Sequence, residues 1–83
     1  MTILDKFILD ALLHHGHLDR NELTRLGTTR LGASVILPRG MPGHYILRDL
    51  EEKGLIKGRL KNRNVPARIY QLEEKGRVAL EAA

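Results

Sequence analysis

The apolar positions of the chain change period along its length. From the N-terminus Leu4, Ile8, Ala11 and Leu12 recur at helical spacing. Thr2 with Asp5 three residues on makes a capping-box start, and Gly16 ends the run, so the pattern predicts a first helix. Ile3, Phe7, Leu9 and Leu13 widen its apolar face beyond one stripe, as expected of a helix that is nearly surrounded or meets a partner subunit. His17 and Leu18 read as a short extended link. Asp19, with Glu22 three residues later, caps a second helix over Arg20 to Leu26 that Gly27 terminates.

Gly32, Pro38, Gly40, Pro42 and Gly43 break the segment from Thr28 to Gly43, where Val35, Ile36 and Leu37 fit a short strand or a buried turn. His44 to Lys53 reads as a third helix, with Ile46, Leu47 and Leu50 inward and Arg48, Asp49, Glu51 and Glu52 outward, closed by Gly54 as a left-handed cap. Beyond Gly54 the period falls to two. Leu55, Ile56 and Leu60 are interleaved with Lys57, Arg59 and Lys61, the pattern of a strand with one solvated edge. Asn62 to Pro66 make a turn, and Ala67 to Leu72 return as a second strand, in which the adjacent Ile69 and Tyr70 leave the inward parity open. A last helix over Glu73 to Ala82 brings Val78 and Leu80 toward the core. Two echoes, Thr-Arg-Leu-Gly at 24–27 and 29–32 and Leu-Glu-Glu-Lys-Gly at 50–54 and 72–76, set no structural period.

Length bounds these elements to a single domain spanning residues 1–83, and a chain this short buries only about 60 to 65% of the surface it exposes unfolded, so a dimer interface would help it. With no cysteine there is no disulfide framework and no thiolate metal site. The longest apolar runs are three residues, which excludes a transmembrane helix, and the acids within the N-terminal apolar stretch argue against a signal peptide. The expected location is cytoplasmic, on the nucleoid.

Charge is segregated. Lys57 to Arg68 carries five basic residues and no acid, more than the +4 of the whole chain, and Leu23 to Arg48 carries four, again without an acid. Two basic segments on an otherwise neutral or acidic body suit one face meant for a polyanion. With only Phe7, Tyr45 and Tyr70 aromatic, the stacking platforms used on single-stranded nucleic acid are lacking.

The element order, together with Leu47, Leu50, Glu51, Gly54, Leu55 and Ile56 in one passage and Pro66, Arg68, Tyr70, Leu72 and Gly76 in the next, resembles the recognition helix and wing of the PadR-like transcriptional regulators, and more loosely the MarR-like ones. The resemblance covers a little under half the chain well, His44 to Leu80. His44 stands where that pattern usually has tyrosine, Glu73 where threonine often begins the last helix, and the sequence ends at Ala83, short of the family's long dimerisation helices.

It implies an α+β winged helix-turn-helix, with three helices, a two-stranded wing and a short C-terminal helix. It also implies binding of double-stranded DNA, with the third helix in the major groove and the hairpin on phosphates or in the minor groove. On that footing Arg39, His44, Tyr45 and Arg48 are candidates for base or phosphate contact at the start of the third helix. Lys57, Arg59, Lys61, Arg63 and Arg68 are candidates for backbone neutralisation, Arg63 also as a minor-groove probe. Asn62 and Asn64 are candidate donors at the wing tip, and Thr28, Thr29 and Arg30, just after the second helix, candidate phosphate contacts.

Blander roles compete: an ion pair with Glu51 or Glu52 for Arg48, edge-strand protection for Lys57, Arg59 and Lys61, and a core place for Tyr70. A homodimer through the first helix and the C-terminal helix is expected, acting as a repressor by operator occlusion. The rivals are a winged-helix protein-interaction module of a replication, polymerase or phage regulatory complex, and a duplex binder without sequence preference. No cofactor, metal site or enzyme activity is expected. His14, His15 and His17 lack the spacing and the further ligands of a metal centre, and Ser34 has no evident base.

Overall fold

The computed structural model describes residues 2–32, 42–62 and 65–82, and the side chains of these apart from 42–44, 61–62 and 65–67. The elements run α1 (Ile3–His15), β1 (His17–Asp19), α2 (Arg20–Leu31), α3 (Pro42–Glu52), β2 (Ile56–Asn62), β3 (Val65–Leu72) and α4 (Glu74–Ala82).

Local chemistry sets most of the boundaries. At the start of α1 the Asp5 N–H donates to Thr2 Oγ1 at 3.1 Å and the Thr2 N–H to Asp5 Oδ2 at 3.2 Å, the reciprocal box its sequence predicts. Asp19 and Glu22 repeat the arrangement at α2 with bonds of 2.8 and 3.0 Å. At the end of α3 the Leu55 N–H donates to the Leu50 carbonyl and the Gly54 N–H to the Glu51 carbonyl, both at 3.0 Å, while Gly54 takes φ +76°. This paired closure is the one that a left-handed glycine permits.

Four expectations are corrected. First, α2 does not stop at Gly27 but runs on to Leu31 and is capped by Gly32 at φ +72°. Gly27 is buried one turn after buried Leu23, so packing carries the helix through a residue that disfavours it by about 1 kcal/mol relative to alanine. Thr28, Thr29 and Arg30 therefore lie within the helix and not after it. Second, His17 to Asp19 is a strand, which makes the sheet three-stranded in the order β1-β3-β2. Third, α3 begins at Pro42, because a proline in the first turn lacks only an N–H that has no helical partner. The hairpin strands likewise extend to Asn62 and from Val65, which pair with each other, and Pro66 is accommodated in β3 beside a register shift between Leu60 and Asn62. Fourth, Val78 is 54% exposed. Gly76 is the buried residue of α4, and Leu80, partly buried, packs against the core as expected. Residues 35–37 lie outside the described residues.

The core is aliphatic apart from one ring: Ile8, Leu9, Leu12, Leu23, Leu47, Leu50 and Ile56 are essentially inaccessible, with Leu18 and Tyr70 beside them. Sheet register explains the parity of β3. Leu18, Tyr70 and Gly58 stand opposite one another across the three strands, and Ile56 stands opposite Leu72, so this row faces the core. The alternate row, with His17, Gln71 and Lys57 in line and Asp19, Ile69 and Arg59 in line, forms the outer face.

Candidate nucleic-acid interface

Helix α3 presents two faces of different chemistry. Leu47 and Leu50 are buried, whereas Tyr45, Arg48, Asp49 and Glu52 recur at i, i+3, i+4 and i+7 and are exposed, forming one outward stripe. Tyr45 is 59% exposed, high for a ring on a protein surface. Arg48 Nε donates to Glu52 Oε1 at 3.3 Å, and Lys53 Nζ to Asp49 Oδ2 at 2.9 Å. The bond to Asp49 and its negative charge hold the Lys53 ammonium above its ordinary value of 10.5. Both pairs are solvent-exposed, a setting in which water screens the attraction and an ion pair contributes little, so Arg48 gives up little in exchanging Glu52 for another anion. Along the stripe Tyr45 and Arg48 come first and Glu52 last, so only the N-terminal end of α3 is chemically suited to approach a polyanion.

Strand β2 is an outer strand of the sheet, and α3 packs against it. On its outer row Lys57 and Arg59 are exposed, and no ion pair engages either of them among the described residues. Arg68 differs. It lies on the core-side row of β3 opposite Leu60, and its Nη2 donates to Glu51 Oε2 at 2.7 Å and to the Gly58 carbonyl at 3.0 Å. Its charge is turned toward α3. Between α3 and the hairpin lies an open groove of about 470 Å³ lined by Arg48, Glu51, Glu52, Arg68 and Tyr70.

The remaining candidates are distributed as follows. Thr28, Thr29 and Arg30 are exposed on the last turns of α2, where the Thr29 hydroxyl donates to the Arg25 carbonyl at 2.9 Å. His44 is in the first turn of α3, and Lys61 and Asn62 end β2. Arg39, Arg63 and Asn64 lie outside the described residues. Tyr70, 7% exposed, is a core residue. His14 faces Asp10 at 3.8 Å, and His17 Nε2 meets Gln71 Oε1 at 3.0 Å across the β1 and β3 ladder.

Sequence reasoning placed Glu51 in this passage as a possible partner of Arg48 and missed its bond to Arg68, and it missed Gly58 as part of this region. A Cβ on Gly58 would lie 2.8 Å from Arg68 Nη2 and 2.9 Å from Tyr70 Cε1. The available signal was an isolated glycine inside an alternating strand, which marks a close approach.

No family model and no curated protein matches the chain. Solved structures do. RosR of H. salinarum superposes with a TM-score of 0.82 at 22% identity, over 99% of this chain and 69% of its own. A transcriptional regulator of Thermoplasma acidophilum gives 0.80 at 20% identity, over 96% and 73%. A PadR family transcription regulator of Clostridium difficile R20291 gives 0.77 at 24% identity, over 98% and 82%. At these identities the likeness is one of fold. The chain is an α+β winged helix-turn-helix, with the fold of these three proteins, one of them a PadR family transcription regulator.

Proposed function

We propose that the chain is a double-stranded DNA-binding transcriptional regulator. The observation that carries this reading is a pair of exposed cations free of ion pairs among the described residues, Lys57 and Arg59, on an outer strand that packs against α3. The winged-helix fold shared with transcription regulators supports it. In this reading the N-terminal end of α3 enters the major groove, with His44, Tyr45 and Arg48 toward base edges or phosphate and the acids of its C-terminal half held away. Lys57, Arg59, Lys61 and Arg63 neutralise backbone charge, with Asn62 and Asn64 as donors at the wing tip. Arg39, and Thr28, Thr29 and Arg30 on α2, add contacts to phosphate.

The chain acts as a homodimer through α1 and α4. In support, Ile3 is 78% exposed, and Ile3, Lys6, Phe7, Asp10 and Leu80 line an open groove of about 370 Å³ between these helices. The target is then a palindrome with half-sites about 34 Å apart, and the regulatory act is repression by occlusion of a nucleoid site. No helix among the described residues is long and apolar enough to cross a membrane.

The test is a fluorescence anisotropy titration against a randomised duplex pool at two salt concentrations, with sequencing of the retained fraction. An enriched palindrome supports a sequence-specific dimeric regulator. Salt-sensitive binding with no enriched sequence would leave a nonspecific duplex binder, and absence of binding would overturn the reading.

A further inference from the structure

Arg68 lies in the basic hairpin, and its charge alone would assign it to a phosphate. Its contacts assign it elsewhere. A single guanidinium nitrogen, carried by β3, donates both to the Glu51 carboxylate of α3 at 2.7 Å and to the Gly58 carbonyl of β2 at 3.0 Å. Three elements therefore meet at one atom. The short bond to Glu51 is charge-assisted, and the second acceptor fixes the direction from which the guanidinium approaches.

The surroundings are shaped for this contact. Gly58 leaves the space in which the guanidinium lies, since a Cβ there would be 2.8 Å from Nη2 and 3.1 Å from Nε of Arg68. Glu51 stands aside from the outward stripe of α3, and its side chain is only 33% exposed against 65% for Glu52. The contact links residues 17 apart in sequence, so it holds the hairpin to the helix instead of reinforcing either one.

We infer that Arg68 and Glu51 form a latch that sets the angle between the wing and the recognition helix, and that Arg68 is a positioning residue for duplex binding, not a phosphate ligand. This rests on the duplex-binding reading above. A winged helix engages DNA with two rigid bodies at once, and their relative angle decides whether both reach the duplex together. Fixing that angle before binding removes an ordering cost from association.

The two roles for Arg68 predict opposite signs. If it were a phosphate ligand, Glu51→Gln would remove a negative charge from beside the DNA, release the guanidinium and tighten binding. Arg68→Gln would then lower the magnitude of the log-log salt slope by about 1. With a latch, Glu51→Gln weakens binding by about 3- to 10-fold, and Arg68→Gln weakens it similarly, both with the salt slope unchanged. Exchanging the pair, Glu51→Arg with Arg68→Glu, restores part of the lost affinity by remaking the ion pair without the bond to the Gly58 carbonyl, which a carboxylate cannot donate, whereas a phosphate ligand replaced by a carboxylate would stay fully weak.

The experiment measures these variants of the full chain by anisotropy on one duplex over a range of salt, with circular dichroism melts to show that each is folded. In parallel, nuclear magnetic resonance of the arginine side chains in the DNA-free protein reports on the bond itself. Separate, slowly exchanging Nη signals for Arg68 in the wild type that merge in Glu51→Gln are the expected result. Tighter binding by Glu51→Gln, or a slope lowered by Arg68→Gln, would overturn the inference. Merged Arg68 signals in the wild type would overturn it without reference to DNA. A wild type with separate signals that binds no duplex would instead overturn the functional reading and, with it, any role of the latch on DNA.

Discussion

Substituting Gly76 sets helix propensity against packing. Gly76 is in the first turn of α4, where alanine would ordinarily raise stability by up to about 1 kcal/mol. Here, however, a Cβ would lie 2.1 Å from the Leu55 carbonyl oxygen and 2.8 Å from Leu72 Cδ1. Carbon to oxygen contacts ordinarily begin at about 3.3 Å, so α4 or the Gly54 corner must move by about 1 Å. The same oxygen accepts the Glu73 N–H at 3.0 Å, which ties the start of α4 to the corner between α3 and β2.

Overpacking of this kind costs about 1 to 3 kcal/mol, and weakening the shared hydrogen bond adds about 0.5 to 1.5 kcal/mol. Less the propensity gain, Gly76→Ala should destabilise by about 2 kcal/mol. For a domain of this size that lowers Tm by about 8 to 16 °C. Thermal melts followed by circular dichroism, with urea titrations to obtain the free energy directly, measure it. Lys75→Ala, at the exposed neighbouring position, serves as the control and should stay within about 0.5 kcal/mol. A Gly76→Ala protein with an unchanged or higher Tm would refute the argument that this glycine is fixed by close approach.

Other substitutions probe the remaining elements. Lys57→Ala and Arg59→Ala should each reduce the magnitude of the log-log salt slope of duplex binding by about 1 while leaving the melt unchanged; a slope that both variants leave intact would show that neither cation meets phosphate. Leu50→Ala, at a site 1% exposed, should cost about 2 to 5 kcal/mol in urea unfolding. Asp19→Ala removes the acceptor of the Glu22 N–H and should cost about 1 kcal/mol, read from the same titration. The raised pKa of Lys53 means that its bond to Asp49 stabilises the fold at pH below 10.5 and that this contribution is lost as pH rises through the raised value. Asp49→Asn should therefore lower stability slightly near neutral pH and converge on the wild type in strongly alkaline solution, as pH-dependent urea midpoints would show.

What could be read from the sequence was what neighbouring residues decide. Both capping boxes, the glycine corner after α3 and the basic alternation of β2 involve residues a few positions apart, and each was legible. The two copies of Thr-Arg-Leu-Gly show where such reasoning stops. One ends in Gly27, which remains helical and buried, and the other in Gly32, which ends the helix. The same four letters have opposite outcomes because burial, not propensity, separates them. The strand His17–Asp19 was hidden for a similar reason, since three residues become a strand only through a partner in β3. At the candidate site the Arg48 and Glu52 pair could be anticipated from its one-turn spacing, whereas the bond from Arg68 to Glu51 required knowing how the hairpin folds back on α3.

That distant pairing of β1 also dictates an order of assembly. His17 and Gln71 are 54 residues apart, whereas β2 and β3 are neighbours in the chain. Closing the longer loop carries the larger entropy cost, so the hairpin is the part of the sheet able to form first, and β1 adds to an edge that already exists. On a ribosome the first 31 residues, although they contain two complete helices, must wait until β3 has been synthesised before their intervening strand has anything to pair with. The N-terminal half of the chain is thus the last to acquire its native sheet contacts, and a chain arrested before residue 69 would lack all three of them.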